Sequence, residues 1–451
     1  MKDFEILRKK YKFFYKSYKI EEDENSIIIK YEFEIPNLVT FQPKIEIFKK
    51  DIKFKNINSN LVKNIVFNLG MVEAISYWKC VCPENIIIEC GNLNDEQINW
   101  FKKLYYLGLG EFRYINNIKI SQNEMVNIKC NNNETFNIIE NTDEHVGTII
   151  PIGGGKDSTV TLELLKESRE NNYCLMIGGK EPSIESAKIA GYNDNKIIEI
   201  KRTIDKNLIE LNKQGYLNGH TPFSAMLAFL SYLVAYLTGK KYIALSNESS
   251  ANETNIEGEN INHQYSKTFE FEQDFREYAN KYLKANVEYF SMLRPINELQ
   301  IAMLFAENKK YHKIFKSCNV GSKSFPWRWC CNCPKCLFVY IILSPFLYKD
   351  ELIEIFGEDL FTKKELLNTF IELCGYGKTK PFECVGTFKE VNFAINKTIQ
   401  NLKDEELPYL LKYYNDNYKT DYIEEDLTKE YNTDNNLPNE FDEILRGKIY
   451  G

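Results

Sequence analysis

The sequence predicts an α/β protein: a central parallel sheet wrapped by helices, an α+β region before it and a mostly helical region after it. Three observations carry that expectation. Between residues 144 and 345 short apolar runs alternate with segments of helical periodicity, the pattern of strands buried on both faces. The preceding residues have strand-and-turn texture, and the chain after residue 345 is dominated by helical segments. At roughly 150 residues per domain, a chain of 451 residues accommodates three regions, bounded at 1–143, 144–345 and 346–451.

Each element has a local reason. Tyr31–Ile35 (YEFEI) and Lys44–Phe48 (KIEIF) alternate polar and apolar residues and are separated by Pro36 and Pro43, which reads as strands and turns. From Asp95 the period becomes helical, with Ile98, Phe101, Leu104 and Tyr105 on one face until Gly108 and Gly110 end it. Val146–Ile152 is an apolar strand, followed by a Gly-rich turn and a helix from about Ser158 to Ser168. Cys174–Ile177, Lys196–Ile204 and Tyr242–Ser246 complete the expected strands, with helices around Ser183–Ala190 and 221–238 between them. The run Phe223–Thr238 is too short and too interrupted for a membrane span and reads as a buried helix.

Composition narrows the function classes. Hydrophobic residues make up 43% and charged residues 27%, which excludes wholesale disorder and a small disulfide scaffold. The 57 Lys+Arg against 64 Asp+Glu leave a net charge of −7, which argues against a protein that coats nucleic acid or anionic membrane. The N-terminal MKDFEILRKKYKFF lacks an apolar core followed by a cleavage site, so a cytoplasmic location is expected. There the 12 cysteines would be thiols or metal ligands rather than disulfides.

The strongest local signal is Pro151-Ile-Gly-Gly-Gly-Lys-Asp-Ser158 between a strand and a helix. Gly153, Gly154 and Gly155 let backbone N–H groups crowd round an anion, and the helix that follows adds its dipole. Lys156 supplies a point charge and Ser158 a hydroxyl. Asp157 would be repelled by phosphate unless a cation intervenes, which points to a Mg²⁺-bridged ligand. The spacing is neither the Walker pattern nor a dinucleotide fingerprint. A Gly-rich turn without a ligand is the bland alternative, and the Lys-Asp-Ser register weighs against it.

Cys330, Cys333 and Cys336 form C-x₂-C-x₂-C, with Cys331 doubled beside them and Cys318 twelve residues upstream. Four thiolates at such spacing can converge on a structural Zn²⁺; the alternative is a set of reduced thiols. Cys80, Cys82, Cys90, Cys130, Cys174, Cys374 and Cys384 read mostly as small apolar core residues. Three polar strings lie between the loop and the cluster: Leu217–Phe223, Ser246–Asn252 and Asn262–Lys267. The second follows a strand's carboxyl end, where open α/β sheets place ligands, so Asn247, Glu248 and Asn252 are candidates for binding nucleotide, metal or substrate. His220 and His263 titrate near neutrality and are candidates for proton transfer, weighed evenly against ordinary hydrogen-bonding roles. Lys267, Arg294 and Arg328 are candidates for binding phosphate or carboxylate, although each alone suits a surface or structural role.

The loop resembles the SGGKDS loop of the ATP pyrophosphatase family, with Gly153 where that family usually has Ser. That resemblance implies a PP-loop sheet of the adenine-nucleotide alpha-hydrolase type, ATP as cosubstrate, and adenylation of a carboxyl or carbonyl oxygen. The strings YLNGHTP, LSNESSANE, NHQYSK and WCCNCPKCLFV are together similar to the UDP-N-acetylmuramoyl-L-alanyl-L-glutamate epimerase family. EAISYWK (Glu73–Lys79), GLGEFRYIN (Gly108–Asn116) and KPFECVG (Lys380–Gly386) fit the same family. This second resemblance implies inversion of the substrate's terminal L-glutamate with release of AMP and diphosphate, in peptidoglycan precursor synthesis. Under it, Gly153–Ser158 with Asn247 and Glu248 hold ATP, Lys156 and Asp157 act at the phosphates, and His220 and His263 move the proton, one per face or one alone. Asn252, Lys267 and Arg294 would meet the UDP-linked substrate, and Cys318, Cys330, Cys333 and Cys336 would hold zinc. Adenylation of another acceptor, such as a tRNA base or an amide- or nitrile-forming step, is the competing reading, and a non-catalytic nucleotide-binding regulator is a third.

Overall fold

The computed structural model describes residues 2–136, 140–179, 181–253, 261–321, 327–403, 405–419 and 426–451. Its backbone is a mixed α/β arrangement around one sheet of 11 strands. In chain order the strands are β1 (Phe13–Glu22), β2 (Ser26–Ile35), β3 (Val39–Phe41), β4 (Lys44–Phe48), β5 (Asn85–Ile88), β6 (Asn127–Cys130), β7 (Thr148–Pro151), β8 (Tyr173–Ile177), β9 (Ile197–Thr203), β10 (Tyr242–Leu245) and β11 (Glu288–Ser291). They lie side by side as β11-β10-β7-β8-β9-β4-β2-β1-β5-β6, with β3 paired to β2.

The five strands β11, β10, β7, β8 and β9 are mutually parallel. Each is short, apolar and connected through helices, as parallel strands buried on both faces require. The first region does not stand apart from them. β4 pairs antiparallel with β9, matching Ile45 to Arg202 and Ile47 to Ile200, so one sheet crosses the expected boundary at residue 143. β11 is a further strand that the local sequence pattern does not mark.

Alternation along the strands sorts the core into two layers. Ile149, Leu175, Ile198 and Ile243 face the helices Asn60–Trp78 and Phe223–Thr238. Ile150, Cys174, Met176, Ile197 and Ala244 face Lys156–Leu164, Glu298–Glu307, Pro334–Leu343 and Phe388–Leu402. The Phe223–Thr238 run is thus a buried helix of 16 residues, ended by Gly239 in the left-handed conformation. Among the described residues no helix is long and apolar enough to cross a membrane.

One topological detail places the site. From β7 the chain steps outward through β8 to β9, then returns to lay β10 on the other side of β7. The crevice between the carboxyl ends of β7 and β10 is therefore a switch point, the position where open sheets bind ligands.

Candidate functional site

The Gly-rich loop leaves β7 at this switch point, and its helix begins at Lys156. Gly154 has φ +79°, and a Cβ there would lie 2.8 Å from the backbone of Pro182, so only glycine fits. Gly155 is the helix N-cap, a position with no side chain to satisfy the first helical N–H groups. The Ser158 hydroxyl donates to the Gly155 carbonyl at 3.1 Å, and the Gly154 carbonyl accepts from Lys316 N at 2.9 Å. Nearby, the buried hydroxyl of Ser317 has no hydrogen-bond partner among the described residues. Free N–H groups together with an orphan hydroxyl suit an anion.

Beneath the loop lies a buried charge cluster. Lys156 ion-pairs with Asp157 and with Glu298, both Lys156 and Glu298 being almost fully buried. Glu298 opens the helix that follows β11; the neighbouring Glu390 accepts from its backbone N–H at 2.7 Å and from the Ser250 hydroxyl. Burial raises the Glu298 and Glu248 carboxyls above their ordinary range, with Asp157 adding repulsion and Lys156 opposing it. Asp157 is held low: burial acts against ionisation, and Lys156, Lys335 and Lys267 outweigh it. Asp157, Glu248 and Glu298 thus repel one another in a low-dielectric site, and Lys156 and Lys267 offset that repulsion.

The polar strings converge on the same place. Arg294 is fully buried, and its guanidinium donates to the carbonyls of Glu248 and Lys267, each at 2.6 Å, and to Glu272 at 3.3 Å. It therefore ties the second string to the third. Asn247 donates to the Ser291 hydroxyl at 3.1 Å, and the exposed Asn252 accepts from Phe269 N at 3.0 Å.

The histidines meet. The rings of His220 and His263 lie 4.2 Å apart, and His263 hydrogen-bonds through Nδ1 to Glu111. The reactive atoms of Glu111, His220 and His263 all lie within 4.8 Å of one another. Burial drives His220 down to about 3, helped by the charges of His263 and Lys79. Burial also acts against His263, but its hydrogen bonds to Cys384 and Glu111 prevail and raise it to about 9. One imidazole is thus neutral and its neighbour protonated near pH 7.

Four members of this site are not marked by their own residue type or spacing, although Lys79, Glu111 and Cys384 lie within EAISYWK, GLGEFRYIN and KPFECVG. Glu111 and Lys79 come from the first region; the Lys79 ammonium donates to the Gly219 carbonyl, and burial lowers it to about 8. Glu298 and Cys384 are the others. Cys384 corrects the reading of an apolar core thiol. It is half-buried and accepts from Lys267 Nζ at 3.2 Å, and its backbone carbonyl accepts from Lys335. Burial would raise its thiol, but Lys267, the His263 hydrogen bond and Lys335 bring it down to about 6.

Cys318, Cys330, Cys333 and Cys336 converge, with sulfur separations of 4.0 Å (318–333), 3.7 Å (330–336) and 3.5 Å (333–336). A tetrahedral zinc with Zn–S near 2.3 Å requires about 3.8 Å between sulfurs. The four residues can hold such a metal. Cys331 turns away, its thiol donating to the Phe356 carbonyl at 3.2 Å, so the doubled cysteine leaves one set of four.

Known proteins match along most of this length. A model of the MurL N-terminal domain matches residues 6–292, and one of the MurL C-terminal domain matches residues 314–426. The chain is 33% identical over 345 residues to the UDP-N-acetyl-alpha-D-muramoyl-L-alanyl-L-glutamate epimerase of Xanthomonas oryzae pv. oryzae, covering 75% of each chain. It is 31% identical to the epimerase of the same name from Micromonospora sp., covering 73% of each. A third, from Salinispora tropica, is also 31% identical over 73% of this chain and 71% of its own. The matched segments include the glycine loop, both histidines and the cysteine cluster, and on that ground the chain belongs to the MurL family.

Proposed function

We propose that the protein is an ATP-dependent epimerase, an isomerase that inverts the terminal L-glutamate of UDP-N-acetylmuramoyl-L-alanyl-L-glutamate to D-glutamate. It would release AMP and diphosphate and serve peptidoglycan precursor synthesis in the cytoplasm. The observation that carries this reading is continuity between two kinds of chemistry. The anion-binding loop and the neutral–protonated histidine pair are joined through Lys267, whose charge acts on Asp157 and Glu248 and whose ammonium touches Cys384 beside His263.

The α-proton beside an ionised carboxylate is hard to remove, because the carbanion would place a second negative charge on an anion. Adenylation of the carboxylate removes that charge and leaves a carbonyl that can become an enolate. The PP-loop reading assigns Gly153–Ser158, with Asn247 and Glu248, to the phosphates of ATP. Lys156 would neutralise charge developing on diphosphate. Asp157 is the residue that would hold Mg²⁺, which when bound offsets the charge of the phosphates. Lys267 and Asn252 would meet the substrate's anionic groups, and Arg294 would act by holding the strings that carry them. The cysteine cluster would carry a structural Zn²⁺, since four filled ligands leave no open position.

The test is direct. With the L,L-substrate, ATP and Mg²⁺, AMP and the D-epimer are expected in equal amounts, with solvent deuterium at the glutamate α-carbon. ATP turnover without inversion would overturn the assignment.

A further inference from the structure

Cys384, His263 and His220 form a row. His263 stands in the middle, hydrogen-bonded to the Cys384 thiol and 4.2 Å from the His220 ring. Three cations face Cys384: Lys267 at 3.2 Å from the sulfur, Lys335 on its backbone carbonyl, and His263, which the Glu111 carboxylate backs on its far side. The neighbouring Glu383 is turned away toward Asn319, 3.1 Å from its amide. Residues around Cys384 are pinned to the other regions: Lys380 pairs with Glu253, and Phe382 packs 5.5 Å from Tyr114. A half-buried thiol enclosed by cations and bonded to an imidazole is the setting that produces a reactive thiolate.

We propose that Cys384 is a catalytic residue of the α-proton transfer, its thiolate taking the proton from one face of the glutamyl α-carbon and the imidazolium of His263 returning one to the other. This rests on the epimerase reading and adds the base that the two histidines lack. The sulfur takes the α-proton: the C–H bond breaks, an S–H bond forms, and the electron pair moves into the adenylated carbonyl as an enolate. Neutralising the thiolate removes one of the contacts that hold the proton on His263 and so makes its imidazolium a stronger acid. The His263 imidazolium then delivers its proton to the opposite face of the carbon, an N–H bond breaking as the new C–H bond forms. Transfer of the S–H proton to His263 restores the thiolate–imidazolium pair, so no external acid or base is consumed.

The experiment has two arms on the full-length protein. In the first, iodoacetamide labelling of Cys384, read by peptide mass mapping across pH, is expected to show an inflection near 6. That inflection should move up by two units or more in H263A. An inflection at the ordinary thiol value of about 8.5 would overturn the proposal. In the second, C384A and C384S should retain substrate-dependent diphosphate release and lose α-deuterium exchange and inversion together, by roughly 10²–10⁴-fold. A structural cysteine would be rescued by serine, so full inversion by either variant overturns the thiolate and leaves the epimerase reading intact. Absence of inversion in the wild type, with the low inflection still present, would instead overturn the epimerase reading and the role assigned to the thiolate within it.

Discussion

The Nζ atom of Lys267 lies 3.2 Å from the sulfur of Cys384, a residue 117 positions further along the chain. The pair joins the central region to the C-terminal one at the point where the charge cluster beneath the glycine loop meets the histidines. A lysine at this distance favours the thiolate over the thiol, because the two charges interact at low effective dielectric.

Lys267→Met removes that cation while keeping the stem. Cys384, held at about 6, should rise toward the ordinary value. If it returns to about 8.5, the thiolate fraction at pH 7 falls roughly 30-fold, and the inversion rate with it. Partial recovery at pH 9 distinguishes this from misfolding, and a pH–rate profile of the variant reads it out.

The native pH–rate profile should be bell-shaped. The productive pair needs Cys384 deprotonated and His263 protonated, so activity should fall below about 6 and again above about 9. The same pair contributes to stability with the matching signs. His263 is raised above its ordinary value, so its contribution is present at low pH and lost as pH rises through about 9. Cys384 is depressed, so its contribution is lost as pH falls through about 6. Thermal melts of H263A should therefore fall furthest below the wild type at acid pH and approach it above about 9, while those of C384A should fall furthest at alkaline pH and approach it below about 6.

Gly154→Ala and Gly153→Ser should separate cleanly. The first places a Cβ at φ +79° and 2.8 Å from the Pro182 backbone. It should cost about 1–3 kcal/mol and abolish ATP binding. At Gly153 a Cβ meets nothing within 4 Å. Gly153→Ser should change stability by less than about 0.5 kcal/mol and lower the KM for ATP by adding a donor. Urea unfolding and diphosphate-release kinetics check both.

The metal set should divide the cysteines. Cys318→Ser or Cys333→Ser is expected to lose zinc by elemental analysis, with Tm lower by roughly 2 °C, as a loss of about 2 kcal/mol implies for a chain of 451 residues. Cys331→Ala should keep the full metal content, since its sulfur bonds to the Phe356 carbonyl instead. Because Lys335 sits between Cys333 and Cys336 and reaches the Cys384 carbonyl, chelation should also slow inversion more than it slows diphosphate release.

What could be read from the chain was local. The strand, the three glycines and the helix that follows them are contiguous, and the C-x₂-C-x₂-C spacing states its own geometry. The polar strings carry His220 and His263 within a few residues of recognisable turns. Glu298 has no such context, and Glu111, Lys79 and Cys384 lie in strings that mark the family without marking their roles, since what makes each one matter is a partner more than 90 residues away in sequence. Cys384 shows the limit most clearly: a cysteine in a loop reads as a small apolar residue until two cations and an imidazole are seen against it. The pairing of β4 with β9 is equally invisible locally, because register between distant strands leaves no periodic trace.

That pairing bears on how the chain is made. β4 is finished about 150 residues before β9 begins, and at 5–20 residues per second a ribosome takes roughly 8–30 s to supply its partner. Through that interval the nascent chain carries an open edge, and an open edge recruits other strands. Lys44 and Glu46 alternate with Ile45 and Ile47 along it, so one side of the exposed strand stays charged while it waits. A truncation that stops before β9 would leave this edge permanently unmatched, and such fragments should be recovered as aggregates rather than as a separable N-terminal unit.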